Sequence, residues 1–158
     1  MNLRKFFLTV GFSGLSPKAP GTVGSFVSLF IGLFLLEFLH VSTLFLLALL
    51  ITVIAIKQID IYEKEVGMHD GKEIVIDELV GMWIALSICG INSENIIIMA
   101  VLSFVFFRLF DIWKPSFIGK IDRDVKGGLG VMGDDVVAGI AAGISSAGVY
   151  QLIEKFIL

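Results

Sequence analysis

Residues 134–153 read DDVVAGIAAGISSAGVYQLI, which is a pair of adjacent carboxylates followed by 18 residues without a charge. A helix that crosses the roughly 30 Å hydrocarbon core of a bilayer needs about 20 mostly apolar residues, within a range of about 17 to 25. The stretch therefore predicts a membrane-spanning helix that begins directly after an acidic pair.

Four more segments have the length and apolar character of a membrane span. The five predicted spans are residues 22–39, 41–59, 74–91, 95–113 and 136–153. A soluble bundle of buried helices would show amphipathic faces, and these segments show almost none. The predicted fold class is all-α: a polytopic membrane helix bundle of about five transmembrane helices, in a single integral membrane domain over residues 1–158.

The composition of the whole chain supports a membrane protein. Of its 158 residues 56% are hydrophobic and 17% are charged, whereas soluble domains have about 45–50% apolar and about 25% charged residues. The net charge of −3 argues against a nucleic-acid partner, and one cysteine excludes an internal disulfide framework. Residues 2–12 carry Arg4 and Lys5 before a short apolar run, which predicts an N-terminal interfacial helix.

Lysine and arginine are distributed unevenly between the two predicted membrane faces. One face receives the N-terminal segment and the predicted loops 58–73 and 114–135, and the opposite face has Lys155 as its basic residue. The basic residues of the first face are Arg4, Lys5, Lys18, Lys57, Lys64, Lys72, Lys114, Lys120, Arg123 and Lys126. Because this asymmetry sets orientation, the first face is predicted to be cytoplasmic.

Carboxylates cluster at helix ends on this predicted cytoplasmic face. Asp77 and Glu78 begin the third span, Asp134 and Asp135 precede the fifth, and Asp111 lies near the end of the fourth. Converging carboxylates repel one another unless a cation neutralises them, and hard oxygen ligands select magnesium, manganese or calcium. We therefore expect Asp77, Glu78, Asp134 and Asp135 to hold a metal, with Asp111 as a further ligand or a base.

A phosphate site is predicted beside these carboxylates. Residues 120–133, KIDRDVKGGLGVMG, contain four glycines that would let backbone N–H groups face an anion, although glycine content alone favours a flexible connection. Basic residues and the nearby acidic pair favour phosphate binding. The predicted substrate-binding groups are Lys18, Thr22, Arg108, Lys114, Arg123, Lys126 and the backbone of Gly127 and Gly128. Metal ligands and phosphate-binding cations at headgroup height indicate phosphoryl chemistry on a lipid.

Small residues mark possible helix contacts. Gly139 and Gly143 form a G-x-x-x-G pattern in the last predicted span, which allows close backbone approach. We expect this pattern to serve packing within the bundle rather than a dimer seam. No oligomeric state is predicted.

Four motifs in this order resemble the phosphatidylglycerophosphatase A family. They are PKAPGTVGS at residues 17–25, IDELVG at 76–81, FRLFDIWKP at 107–115 and DRDVKGGLGVMGDDVVAG at 122–139. The resemblance covers nearly the whole chain. It implies magnesium-dependent hydrolysis of phosphatidylglycerophosphate to phosphatidylglycerol and phosphate, in phospholipid biosynthesis at the bacterial inner membrane. Direct attack by water and a phospho-aspartate intermediate are both compatible with these residues.

Three alternative functions use the same carboxylates or the same membrane location. A transporter or ion-relay protein would place its charges near the bilayer midplane, often within inverted repeats, and neither feature is visible. A non-catalytic scaffold for lipid-synthesis enzymes would have no use for paired carboxylates in a cleft. A CDP-alcohol phosphotransferase would require an Asp-x2-Asp-Gly-x2-Ala-Arg pattern, which the chain does not contain.

Overall fold

The computed structural model describes residues 3–67 and 71–156, and its regular structure is helical. The helices are α1 (Leu3–Leu8), α2 (Pro20–Leu36), α3 (Val41–Val66), α4 (Ile76–Ile88), α5 (Ile96–Trp113), α6 (Ser116–Asp124) and α7 (Gly128–Phe156). No strand occurs in either described range. The predicted all-α class is confirmed.

Helix α4 is the centre of the bundle. It packs against α2, α3, α5 and α7, and every residue from Glu78 to Leu86 is buried. A helix that is apolar on all sides is stable where other elements of the protein or membrane lipids surround it, and around α4 the neighbouring helices do so. This central position explains why the sequence of α4 has no polar face.

Three helices, α3, α5 and α7, are long and apolar enough to cross a membrane. Helix α2 has 17 residues, which corresponds to about 25 Å at 1.5 Å per residue. Helix α4, with 13 residues, reaches about 20 Å, which is less than the roughly 30 Å hydrocarbon core. The membrane character of the chain follows from these helices, and the five-span topology stays a prediction.

The first part of the predicted loop 58–73 is helical, because α3 continues to Val66. The segment after Lys57 contains the good helix formers Gln58, Glu63, Lys64 and Glu65. The helix ends at Gly67, whose positive φ of 71° lets its N–H donate to the carbonyl of Glu63 at 2.8 Å. The extension carries Gln58 and Glu65, which bind α1.

The N-terminal segment is fastened to the bundle by α1, which is shorter than the predicted interfacial helix at residues 2–12. Arg4 donates through Nε to Gln58 Oε1 at 3.1 Å and forms an ion pair with Glu65. The carbonyl of Leu8, a buried residue, accepts the N–H of Val75 at 2.9 Å. Residues at the chain start therefore support the first turn of α4.

The predicted loop 114–135 is also largely helical, because it contains α6 and the first two turns of α7. A Cβ on Gly128 would overlap the backbone of Ile56 in α3, and one on Gly130 would overlap the carbonyl of Val125. Glycine in this segment allows close approach between helices, so a composition typical of a flexible loop begins a helix instead.

Glycines also set the contact between α4 and α7. A Cβ on Gly139 would overlap the carbonyl oxygen of Gly81, and one on Gly143 would lie 2.7 Å from Cβ of Ile88. The G-x-x-x-G pattern of α7 thus packs against α4 of the same chain, and the expected intramolecular role is confirmed.

We expect Gly139→Ala to lower the free energy of unfolding by about 1–3 kcal/mol, because the added methyl group overpacks the α4–α7 contact. Gly148→Ala is the matched control, since nothing lies within 4 Å of its Cβ position. In the same helix it should stabilise by up to about 1 kcal/mol through helix propensity. Thermal unfolding in detergent micelles measures both, and equal effects would contradict the packing assignment.

Candidate active site

A polar cleft of about 410 Å³ opens at one end of the bundle. The first turns of α2 and α4, the start of α7, the end of α5 and helix α6 surround it. Within residues 3–67 and 71–156, six carboxylates line it: Asp77, Glu78, Asp111, Asp122, Asp134 and Asp135. The cleft therefore contains five of the predicted acidic residues and one, Asp122, that was not predicted.

Three of these carboxylates form a compact cluster, which we call the acidic triad: Asp77 and Glu78 of α4 and Asp135 of α7. One oxygen of each lies within 4.8 Å of the others. Glu78 is 8% and Asp135 is 2% exposed. Within residues 3–67 and 71–156, Asp77 Oδ1, Glu78 Oε2 and Asp135 Oδ2 are buried and have no hydrogen-bond partner. Buried acceptors without donors are costly.

A divalent cation would satisfy the acidic triad. Carboxylate oxygens are the ligands that Mg²⁺ and Ca²⁺ prefer, and the unpartnered oxygens supply lone pairs for such an ion. The first turn of α4, which holds Asp77 and Glu78, also favours negative charge through the helix dipole. The residues present thus fit the predicted metal.

Glycine brings the two sides of the triad together. A Cβ on Gly81 would lie 2.8 Å from the carbonyl oxygen of Asp135 and would overlap the ring of Phe107. On the opposite side, a Cβ on Gly21 of α2 would overlap Glu78 Oε1. The helices can approach closely enough to gather the carboxylates because both positions lack a side chain.

Asp134, which was predicted as a metal ligand, lies outside the triad. Successive residues of a helix point about 100° apart, so Asp134 and its neighbour Asp135 face different partners. Lys114 donates through Nζ to Asp134 Oδ2 at 2.7 Å and also to Asp122 Oδ1. The other oxygen of Asp134, Oδ1, is buried without a hydrogen-bond partner among the described residues. The structure therefore brings three of the four predicted ligands into one cluster, and metal binding by Asp134 stays a prediction.

Lys114 is held at the turn between α5 and α6. Its backbone adopts the left-handed conformation, with φ 44° and ψ 58°, and its N–H donates to the carbonyl of Phe110 at 2.8 Å. Burial lowers the pKa of the ammonium group, but the hydrogen bonds to Asp122 and Asp134 outweigh it and raise the pKa above its ordinary value. Lys114 is therefore a cation at neutral pH.

Arg108 and Asp111 form an ion pair between neighbouring turns of α5. Arg108 also donates through Nη1 to Ser25 Oγ of α2 at 3.1 Å. The guanidinium, predicted to bind phosphate, is thus engaged with Asp111 and α2, and it fixes one wall of the cleft.

The remaining predicted substrate-binding residues do not line the cleft. Lys18, Arg123 and Lys126 are exposed and Thr22 is half-buried. In the predicted phosphate cradle, the N–H of Gly128 donates to Asp60 Oδ1 of α3 at 2.7 Å, and phosphate binding at Gly127 and Gly128 stays a prediction. The carboxylate of Asp60 thus accepts a hydrogen bond at the N-terminus of α7, where a bound phosphate was predicted to accept one.

Three residues near the site were not predicted. Asp122 binds Lys114, Lys72 lines the cleft, and Asp60 caps α7. Asp122 and Lys114 are eight residues apart. The turn between α5 and α6 brings them together, so their spacing in the sequence does not predict the pair. Asp60 lies 68 residues from Gly128, so local sequence contains no signal for that contact.

Comparison with known proteins relates the chain to one family. A family model described as phosphatidylglycerophosphatase A matches residues 6–150. Phosphatidylglycerophosphatase A of Escherichia coli is 42% identical over 139 residues, covering 87% of this chain and 78% of that protein. The Haemophilus influenzae protein of the same name is 38% identical over 136 residues, covering 85% and 82%. No solved structure matches the chain.

We expect Asp60→Ala to lower the free energy of unfolding by about 1–2 kcal/mol, because it leaves the N–H of Gly128 without its acceptor. Asp124→Ala removes an exposed carboxylate at the end of α6 and serves as the control, with a change within about 0.5 kcal/mol. The melting temperature in detergent micelles reports the difference. An Asp60→Ala protein as stable as the control would rule out this cap.

Proposed function

The chain belongs to the phosphatidylglycerophosphatase A family, and we propose that it hydrolyses phosphatidylglycerophosphate to phosphatidylglycerol and inorganic phosphate. The observation that carries the proposal is the acidic triad, with an unpartnered buried oxygen on each of its three carboxylates within the described residues. This triad lies at one end of an apolar bundle, where we expect a phospholipid to present its headgroup. The family makes the chain a phosphoric monoester hydrolase with a role in phospholipid biosynthesis.

We infer that the cofactor is magnesium, held by Asp77, Glu78 and Asp135. Their oxygens form an all-carboxylate donor set, and Mg²⁺ is commonly bound by a few carboxylates together with substrate phosphate. When bound, such an ion neutralises charge on phosphoryl oxygens and polarises the phosphorus centre toward attack.

The chain's own residues would position the phosphomonoester. Phosphoryl transfer depends mainly on orientation and on electrostatic stabilisation of the equatorial oxygens. Lys114 and Lys72 are cations that line the cleft, and a lysine ammonium is a common ligand of phosphate. Arg108, which pairs with Asp111, also binds Ser25 and so links α5 to α2, and both helices contribute residues to the lining of the cleft.

We propose that the cleft faces the cytoplasm, at the inner membrane of a bacterium. The support is the distribution of basic residues. Lys64 in the last turn of α3, Lys114 after α5 and Arg123 in the last turn of α6 belong to the end of the bundle that carries the cleft. Lysine and arginine are retained on the cytoplasmic side during insertion.

We expect Asp135→Asn to reduce kcat by about 100-fold or more, because the substitution removes one of three anionic ligands. Glu94→Gln changes an exposed carboxylate between α4 and α5 and should leave turnover unchanged. Release of phosphate from phosphatidylglycerophosphate in mixed micelles, with magnesium and after chelation, provides the measurement. Full turnover by Asp135→Asn at saturating magnesium would refute the ligand assignment, and absence of release by the unaltered protein would favour a transporter.

The orientation is tested with single cysteines in a Cys89→Ala background. Lys120 and Glu94 are exposed and lie beyond opposite ends of α5, a helix long enough to span a membrane. A membrane-impermeant maleimide should label Glu94→Cys in intact spheroplasts and Lys120→Cys in inside-out vesicles. The reverse pattern would show that the cleft faces the periplasm.

A further inference from the structure

Two cationic side chains form ion pairs with three of the carboxylates that line the cleft. Asp111 is paired with Arg108, while Asp122 and Asp134 share Lys114. No ion pair involves the three carboxylates of the acidic triad among the residues that the structure describes. The triad therefore consists of the cleft carboxylates that have no ion-pair partner among the described residues.

The position of Lys114 is built by two neighbouring elements. Asp122 comes from α6, and Asp134 comes from α7 and has a side chain that is only 6% exposed. A Cβ on Gly119 of α6 would overlap the carbonyl of Lys114, so the tight turn between α5 and α6 requires glycine at this position. The left-handed backbone of Lys114 costs about 1–2 kcal/mol for a residue other than glycine. Such strain persists where the surrounding structure requires one placement.

We propose that the active site binds a single divalent cation, at the acidic triad, and that the ammonium group of Lys114 occupies the place of a second. Many phosphoryl-transfer sites hold two metal ions about 3.5–4 Å apart. Asp134 adjoins the triad residue Asp135 in sequence and is the carboxylate that a second ion would use. Its Oδ2 instead accepts a hydrogen bond from Lys114 at 2.7 Å.

The ammonium group can take over the electrostatic part of a second ion's role. A lysine has three N–H donors, and within the described residues two of those of Lys114 are used, one by Asp122 and one by Asp134. The third is available to a phosphoryl oxygen of the substrate. Asp122 is accordingly a positioning residue, since it directs the ammonium without reaching the reacting atoms itself. This inference rests on the phosphatase function proposed above.

Counting bound Mn²⁺ tests the proposal. Purified protein in detergent is equilibrated with Mn²⁺, and the unbound ion is quantified by electron paramagnetic resonance. The unaltered protein should bind one Mn²⁺ per chain. Lys114→Met should bind two, because Asp122 and Asp134 lose their cation and become ligands. Lys72→Met removes the same charge from another side chain of the cleft and should still bind one.

Asp134→Asn provides a test that does not depend on the folding of Lys114→Met. It should keep one Mn²⁺ per chain, because Asp134 is not a ligand of the triad. Two ions in the unaltered protein, one in Lys114→Met or none in Asp134→Asn would each overturn the proposal.

Phosphate release measured on the same samples separates this proposal from the function. Release of phosphate by a protein with two Mn²⁺ would defeat only the single-ion proposal. One Mn²⁺ without any release would defeat only the phosphatase function. No bound Mn²⁺ in the unaltered protein would defeat the triad as a metal site and the single-ion proposal with it.

Discussion

The close contact between α4 and α7 is the interaction on which the rest of the structure depends. Gly81 and Gly139 lack side chains where these helices meet, and a Cβ on either would overlap the partner helix or Phe107. In a membrane, helices gain little from hydrophobic association and depend on close packing. The same contact joins Asp77 and Glu78 to Asp135, so the packing that holds the bundle together also assembles the triad.

A second constraint is the cost of charge in an apolar chain. Charged groups inside a bilayer are expensive unless they are paired or exposed to water, and the part of the chain that the structure describes places six carboxylates in one cleft. Arg108 pairs with one of them, Asp111, and Lys114 pairs with two, Asp122 and Asp134. The three remaining carboxylates, Asp77, Glu78 and Asp135, form a cluster with the charge and the ligand atoms of a divalent-cation site.

Much of the architecture was predictable from the sequence, since apolar length alone identifies membrane helices. The helix boundaries were less predictable. The glycine-rich segment at residues 127–133 has the composition of a loop, yet it begins α7, because glycine serves equally for flexibility and for close packing. Only the neighbouring helix α3, which lies against Gly128, distinguishes the two uses.

By itself the sequence determined the helical membrane class, the family motifs and the gathering of acidic residues at helix ends. The tertiary structure decided which of those acidic residues bind a lysine or arginine and which form the triad. Asp134 and Asp135 are identical neighbours in the chain, but one binds Lys114 and the other joins the triad. The reason is geometric: consecutive helical side chains diverge by about 100°, and the partner of each depends on which helix packs against that side.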